Sequence, residues 1–201
     1  SQGGLPLGGA HDVRPLVETA RRGGLLSPGD LLDITGTLCT ARRVQRILER
    51  SRGQVPLLAD VAARIEPCEG LSAAIDAAIS ERGEVLDHAS EKLARVRREM
   101  RTAQERLMDR LNRIIANPRN APYLQEALLT QRGGRYVIPI KAEFKGRIPG
   151  VIHDQSASGL TLFIEPLATL ELNNEWRELQ LAEVREVNRV LMAVSARVAE
   201  E

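Results

Sequence analysis

Aromatic side chains are scarce in this 201-residue chain: Tyr123, Tyr136, Phe144, Phe163 and Trp176 are all it has. A stacking platform for single-stranded nucleic acid needs a series of aromatics along a groove, so the composition argues against one. Cysteine is nearly missing as well. Cys39 and Cys68 are too few for a disulfide framework and too far apart for a metal-binding pair, and both read as small buried apolar residues. Lysine is absent before Lys92. The glycine-rich opening Gly3-Gly4-Leu5-Pro6-Leu7-Gly8-Gly9 therefore lacks the Gly-Lys-Ser/Thr of a phosphate loop. No uncharged apolar run approaches the roughly 18 residues of a membrane span. The start, Ser1-Gln2-Gly3-Gly4, has neither the basic region nor the apolar stretch of a secretory leader, and no initiator Met. It reads as a piece of something longer.

What is present suffices for a core. Hydrophobic residues make up 43% and charged ones 27%, which excludes wholesale disorder. The 28 Lys+Arg and 27 Asp+Glu leave a net charge of +1, and only three of the cations are lysine. That near-neutral total is uneven along the chain: −2 over residues 1–89, +4 over 90–117, +2 over 118–169 and −3 over 170–201.

The first zone predicts short helices forming a helical core. Asp12 is placed to cap a helix ending at Gly23-Gly24. Ser27-Pro28-Gly29-Asp30 predicts a second helix, with a capping Ser, Pro at the first position and an early acid. Its apolar positions are Leu31, Ile34, Leu38, Val44, Ile47 and Leu48. Further helices are expected over residues 56–65 and 71–79. Residues 90–117 then show a narrow seam, Leu93, Val96, Met100, Ala103, Leu107, Leu111 and Ile114, uninterrupted until Pro118. At 1.5 Å per residue such a helix is about 42 Å long. Residues 170–201 predict another, with Leu172, Trp176, Leu179, Val184, Val187, Leu191, Val194 and Val198 along one stripe. Opposite net charges on these two helices predict an antiparallel pair; the other reading packs each helix elsewhere. Arg95, Arg97, Arg98 and Arg101 would then face an acidic partner.

Between the helices the apolar period changes to two. Over residues 135–145, Tyr136, Ile138, Ile140, Ala142 and Phe144 alternate with Arg135, Val137, Pro139, Lys141, Glu143 and Lys145. Lys145-Gly146-Arg147 predicts a turn, residues 151–154 a return strand, 155–159 a loop and 160–165 a third strand. Pro139 and Pro149 argue for edges or bulges. The fold class is thus mainly α: a helical core (1–89), an outgoing lever helix (90–118), a small antiparallel β clamp (119–169) at the tip, and a returning helix (170–201).

Catalytic signals are thin. His11, His88 and His153 are dispersed. His153, Asp154, Ser156 and Ser158 lie close in sequence, but strand alternation sends neighbours to opposite faces, so a catalytic site is not expected. Turn hydrogen bonds suit Asp154 and the two serines better. Only Asp154 and Glu165 stand near His153 as metal ligands, a weak set. A hydrolase built on His153, Asp154 and Glu165 is the enzyme reading. The positive signal is basic: Arg132, Arg135, Lys141, Lys145 and Arg147 against one acid, Glu143. Such a tip suits sequence-independent phosphate contacts. It equally suits a solvated strand face whose charges prevent edge aggregation.

The run Arg135-Tyr-Val-Ile-Pro-Ile-Lys-Ala-Glu-Phe-Lys-Gly-Arg-Ile-Pro-Gly-Val-Ile-His-Asp-Gln-Ser-Ala-Ser-Gly-Leu-Thr-Leu-Phe-Ile-Glu-Pro166 resembles the signature stretch of the second bacterial MutS family, MutS-II. Leu170-Glu-Leu-Asn-Asn-Glu-Trp-Arg-Glu-Leu179 and Leu5-Pro-Leu-Gly-Gly-Ala-His-Asp-Val-Arg14 resemble it too. The resemblance implies a helical core, lever helices and a clamp, without the mismatch-reading domain of classical MutS. It implies that the chain enters after the family's N-terminus and stops before an ATPase domain and a small nuclease domain. ATP and Mg would belong to those parts, with no cofactor, metal or catalytic residue in this chain. It further implies a cytoplasmic, homodimeric whole protein that acts on duplex or branched DNA to suppress recombination, or on ribosomes and their RNA to split collided ones. The alternative is a structural lever or dimerisation module without nucleic-acid affinity of its own.

Overall fold

Local chemistry sets most helix boundaries in the computed structural model, which describes residues 6–200; Gly3, Gly4 and Leu5 of the glycine-rich opening lie outside them. Helix α1 (Arg14–Arg21) stops where Gly23 adopts φ 77°, and the N–H groups of Gly23 and Gly24 return to the carbonyls of Ala20 and Thr19. Its start departs from expectation. Val13 is the boundary residue, and the Asp12 carboxylate accepts instead from the Arg14 N–H and guanidinium. Helix α2 (Pro28–Arg50) has the expected cap. Ser27 Oγ accepts from the Asp30 N–H, the Asp30 carboxylate accepts from the Ser27 N–H, and Pro28 opens the first turn. Helices α3 (Pro56–Ala62), α4 (Glu69–Ala78), α5 (Glu91–Ile115) and α6 (Leu170–Glu200) complete a mainly helical chain.

The chain divides into two units, residues up to 94 with those from 185 onward, and residues 95–184. In the first, Leu31 and Ile34 of α2, Leu71 and Ile75 of α4, Leu93 of α5 and Leu191, Val194 and Val198 of α6 share one core. Ser195 is buried among them; its hydroxyl donates to the Leu191 carbonyl and accepts from the Leu26 N–H. The two cysteines, both expected to be buried, differ: Cys39 is exposed on α2, whereas Cys68 is half-buried and packs against this core from a left-handed backbone position, φ 41°. The helical period places Leu38 toward the core cluster and its neighbour Cys39 outward.

The second unit contains an antiparallel sheet of order β1-β2-β4-β3, from β1 (Thr130–Arg132), β2 (Arg135–Lys141), β3 (Gly150–Gln155) and β4 (Thr161–Pro166). Ile138, Ile140, Leu162 and Ile164 share a core with Ala103, Leu107 and Leu111 of α5 and Trp176 of α6. The Tyr136 ring packs 4.8 Å from that of Trp176, and the Asn173 side chain pairs with both backbone groups of Tyr136.

Three strand expectations need correction. The strand expected over 135–145 ends at Lys141, and Ala142–Phe144 form a single 3-10 turn, so Lys145 is on no strand face. Strand β1 was not anticipated. Gly133-Gly134, with φ 57° and 75°, closes a two-residue hairpin in which Arg132 pairs with Arg135. Pro139 is not on an edge strand, because β2 lies between β1 and β4. Past the end of β1, however, the irregular segment at residues 123–125 takes over, with the Gln125 N–H donating to the Pro139 carbonyl and Lys141 N–H to Tyr123. A missing donor is tolerated beside such a segment.

Candidate nucleic-acid interface

Both faces of β2 are covered, since Val137, Ile138, Pro139 and Ile140 are all buried. The odd-numbered side chains therefore do not form the solvated row that alternation suggested. On that face Arg135 donates to Glu165 Oε1 at 2.8 Å and to Asn174 Oδ1 at 2.6 Å. Glu165 is fully buried, and His153 Nε2 lies 2.6 Å from its other oxygen. A carboxylate removed from water requires partners of this kind.

Arg132 is equally occupied. Its guanidinium lies 2.9 Å from the Asp154 carboxylate and 4.0 Å from the Phe163 ring centroid. Lys141 Nζ donates to the Pro122 carbonyl at 3.3 Å. The two remaining cations differ. Lys145 and Arg147 are exposed on the turn after the 3-10 segment, around Gly146 with φ 85°. Among the described residues neither side chain has a hydrogen bond or ion pair. Of the five sequence-predicted contacts, three thus have internal partners and Lys145 and Arg147 face solvent, with Glu143 as an exposed acid nearby.

His153 sits where the β3–β4 register shifts between Ile152 and Asp154, and it pairs with Glu165 across the two strands. The pairing does not assemble a nucleophile. Ser156 Oγ accepts from the Thr161 N–H and lies 3.2 Å from Ser158 Oγ, while Asp154 is turned to Arg132 and to the Gln155 N–H. Both serines therefore stay in the turn, as expected, and Asp154 does not join them. Among the described residues no cluster of His, Cys, Asp or Glu is arranged to hold a metal. Sequence sets Glu165 near His153 but does not give its burial or its pairing with Arg135. Its one signal was an acid in a period-two apolar run that, once paired, falls on the face of Arg135.

The acidic side of α6 also has definite partners. In the second unit Arg97 donates to Glu183 at 2.9 Å, both largely shielded. In the first unit Glu186 is buried and accepts from Arg189 at 2.7 Å and from the Ser90 hydroxyl at 2.6 Å, with Lys92 3.6 Å away. The Arg189 hydrogen bond, then that of Ser90, pull the Glu186 carboxyl from 4.5 down to about 2. These two acids displace Val184, which was expected on the apolar stripe and is 52% exposed. Of the four basic residues expected to serve α6, Arg97 does so; Arg95 lies 4.0 Å from Glu99 on its own helix.

No family model matches the chain. Among curated proteins it is 47% identical over 197 residues to Endonuclease MutS2 of Symbiobacterium thermophilum, an alignment covering 98% of this chain and 25% of that protein. It is 41% identical over 202 residues to Endonuclease MutS2 of a Geobacillus species, covering 99% and 26%. Against Endonuclease MutS2 of Thermomicrobium roseum the identity is 44% over 197 residues, covering 96% and 25%. The chain spans about a quarter of the length of the curated relatives it matches. With near-complete coverage of the chain at such identities, it belongs to the MutS2 family.

Proposed function

We propose that this segment is the lever and clamp with which a MutS2-type protein grips nucleic acid, Lys145 and Arg147 touching backbone phosphates. One observation carries the reading: these two cations of the basic tip face solvent without side-chain partners among the described residues, whereas Arg132, Arg135 and Lys141 are engaged. Two helices carrying the sheet support the lever part. Arg97 meets Glu183, while Gln104 and Trp176 both meet Tyr136, a register of helices running in opposite senses. Contacts to phosphate give affinity without sequence preference. Two contacts per chain correspond to a slope of about −1.8 in log affinity against log salt. The whole protein would add ATP hydrolysis with Mg, nuclease activity and dimerisation in the cytoplasm. Its targets would be branched DNA in recombination, or ribosomal RNA in collided ribosomes.

The test is binding of the chain to linear duplex, four-way branched DNA and ribosomes across a salt series. Each single substitution, Lys145→Ala or Arg147→Ala, should lower the salt slope by about one contact, and reversal of both to Glu should abolish binding at moderate salt. Affinity unchanged by the double reversal would remove the clamp assignment.

A structural reading has its own support in the ion pairs of Arg97 with Glu183 and of Arg189 and Lys92 with Glu186. In that reading α5 and α6 transmit ATPase motion or mediate dimer contacts. A chain that self-associates in sedimentation and ignores DNA at low salt would favour it.

A further inference from the structure

A cavity of about 350 Å³ opens beside Arg147 in the second unit. Pro149, Pro166, Ile148 and Leu167 give it apolar walls. Leu167 is 55% exposed there, an apolar side chain left in water. Two polar side chains complete the lining, Arg147 and Asn120. The Asn120 amide nitrogen donates to the Ile114 carbonyl at 2.8 Å, which leaves its oxygen as a free-facing acceptor. Arg147 has no side-chain partner among the described residues, and Lys145 stands two positions away.

These features call for a ligand with two chemistries. A simple anion would use the guanidinium and leave the apolar walls wet. A purely apolar ligand would make no use of the cation. A nucleotide satisfies both, its flat base against proline and aliphatic carbon and its phosphate against arginine. We propose that the cavity receives one unstacked nucleobase, with Arg147 on the adjoining phosphate and Asn120 Oδ1 accepting from a base amine. This rests on the nucleic-acid reading above and deepens it. An intact duplex keeps its bases stacked, so the preferred target becomes a helix with an extruded nucleotide, as at a bulge or junction. The scarcity of aromatics suits a single such base rather than a stacked strand. Either sugar fits this chemistry, so DNA and RNA enter as separate arms of the test.

The test is a fluorescence-anisotropy titration of the 201-residue chain with a paired DNA duplex, the same duplex with a one-nucleotide bulge, that bulge made abasic, and the corresponding three RNAs. The bulge should bind about tenfold tighter than the duplex in at least one sugar series, and the abasic bulge should fall back toward the duplex value. Ala168→Phe, which fills the cavity from an exposed position of its lining, should erase the preference for the bulge. Equal affinity for bulge and abasic bulge in both series would overturn the proposal while leaving phosphate gripping intact. Absence of binding to every probe is the distinct result that removes the nucleic-acid reading, and this proposal with it.

Discussion

Glu165 shows what one side chain does in the sheet. It has no exposure, and its two oxygens are taken by Arg135 and His153. Arg135→Ala leaves one oxygen of the buried Glu165 unpaired, with His153 on the other, and should destabilise the second unit by about 3 kcal/mol in urea unfolding. The same variant should leave the salt slope of DNA binding unchanged, because Arg135 is spent inside the sheet. Glu186 gives a second residue-scale prediction. Its carboxyl is held at about 2 against an ordinary 4.5, so it stabilises the fold above its unfolded value and loses that contribution as pH falls from about 4.5 toward about 2. Glu186→Gln should flatten the acid limb of a plot of unfolding midpoint against pH. An unchanged limb would mean that the Arg189 and Ser90 contacts do not persist in solution.

At the scale of elements, helices were legible and strand details were not. The seam on α5 places Leu93, Val96, Ala103, Leu107 and Leu111 in the interior, because a 3.6 period leaves one face to bury. Leu107→Ala should accordingly cost about 2–5 kcal/mol through the cavity it leaves, read from the shift in urea midpoint. The α6 stripe was read correctly except near Val184, where Glu183 pairs with Arg97 of α5 and Glu186 with Arg189 and with Ser90, the residue before α5. Periodicity of apolar residues cannot reveal an acid made tolerable by a partner far along the chain. The sheet was harder for the same reason. Alternation gave β2, but its end at Lys141 and the bulge at His153 depend on which residues lie opposite. The Gly133-Gly134 hairpin had a local signal in its paired glycines, and the strand before it is only three residues long. Of the three cations expected on one strand face, Arg135 and Lys141 lie on β2 and Lys145 lies beyond it.

For the whole molecule the net charge of +1 conceals opposing zones. Part of that opposition is internal: Arg97 answers Glu183, and Lys92 and Arg189 answer Glu186. In the proposed clamp the charge that meets a partner is local, at Lys145 and Arg147. A bound polyanion should then be sensitive to these two positions far more than to total charge. Reversing two exposed α5 arginines, Arg95 and Arg98, changes the net charge by the same amount and should weaken DNA binding by less than about threefold, by screened long-range attraction alone. The most direct measurement is the DNA affinity of the chain across a salt series, wild type against Lys145→Glu with Arg147→Glu. The account predicts a slope of about −1.8 for the wild type and near zero for the double variant. Equal slopes and equal affinities for the two proteins would contradict it.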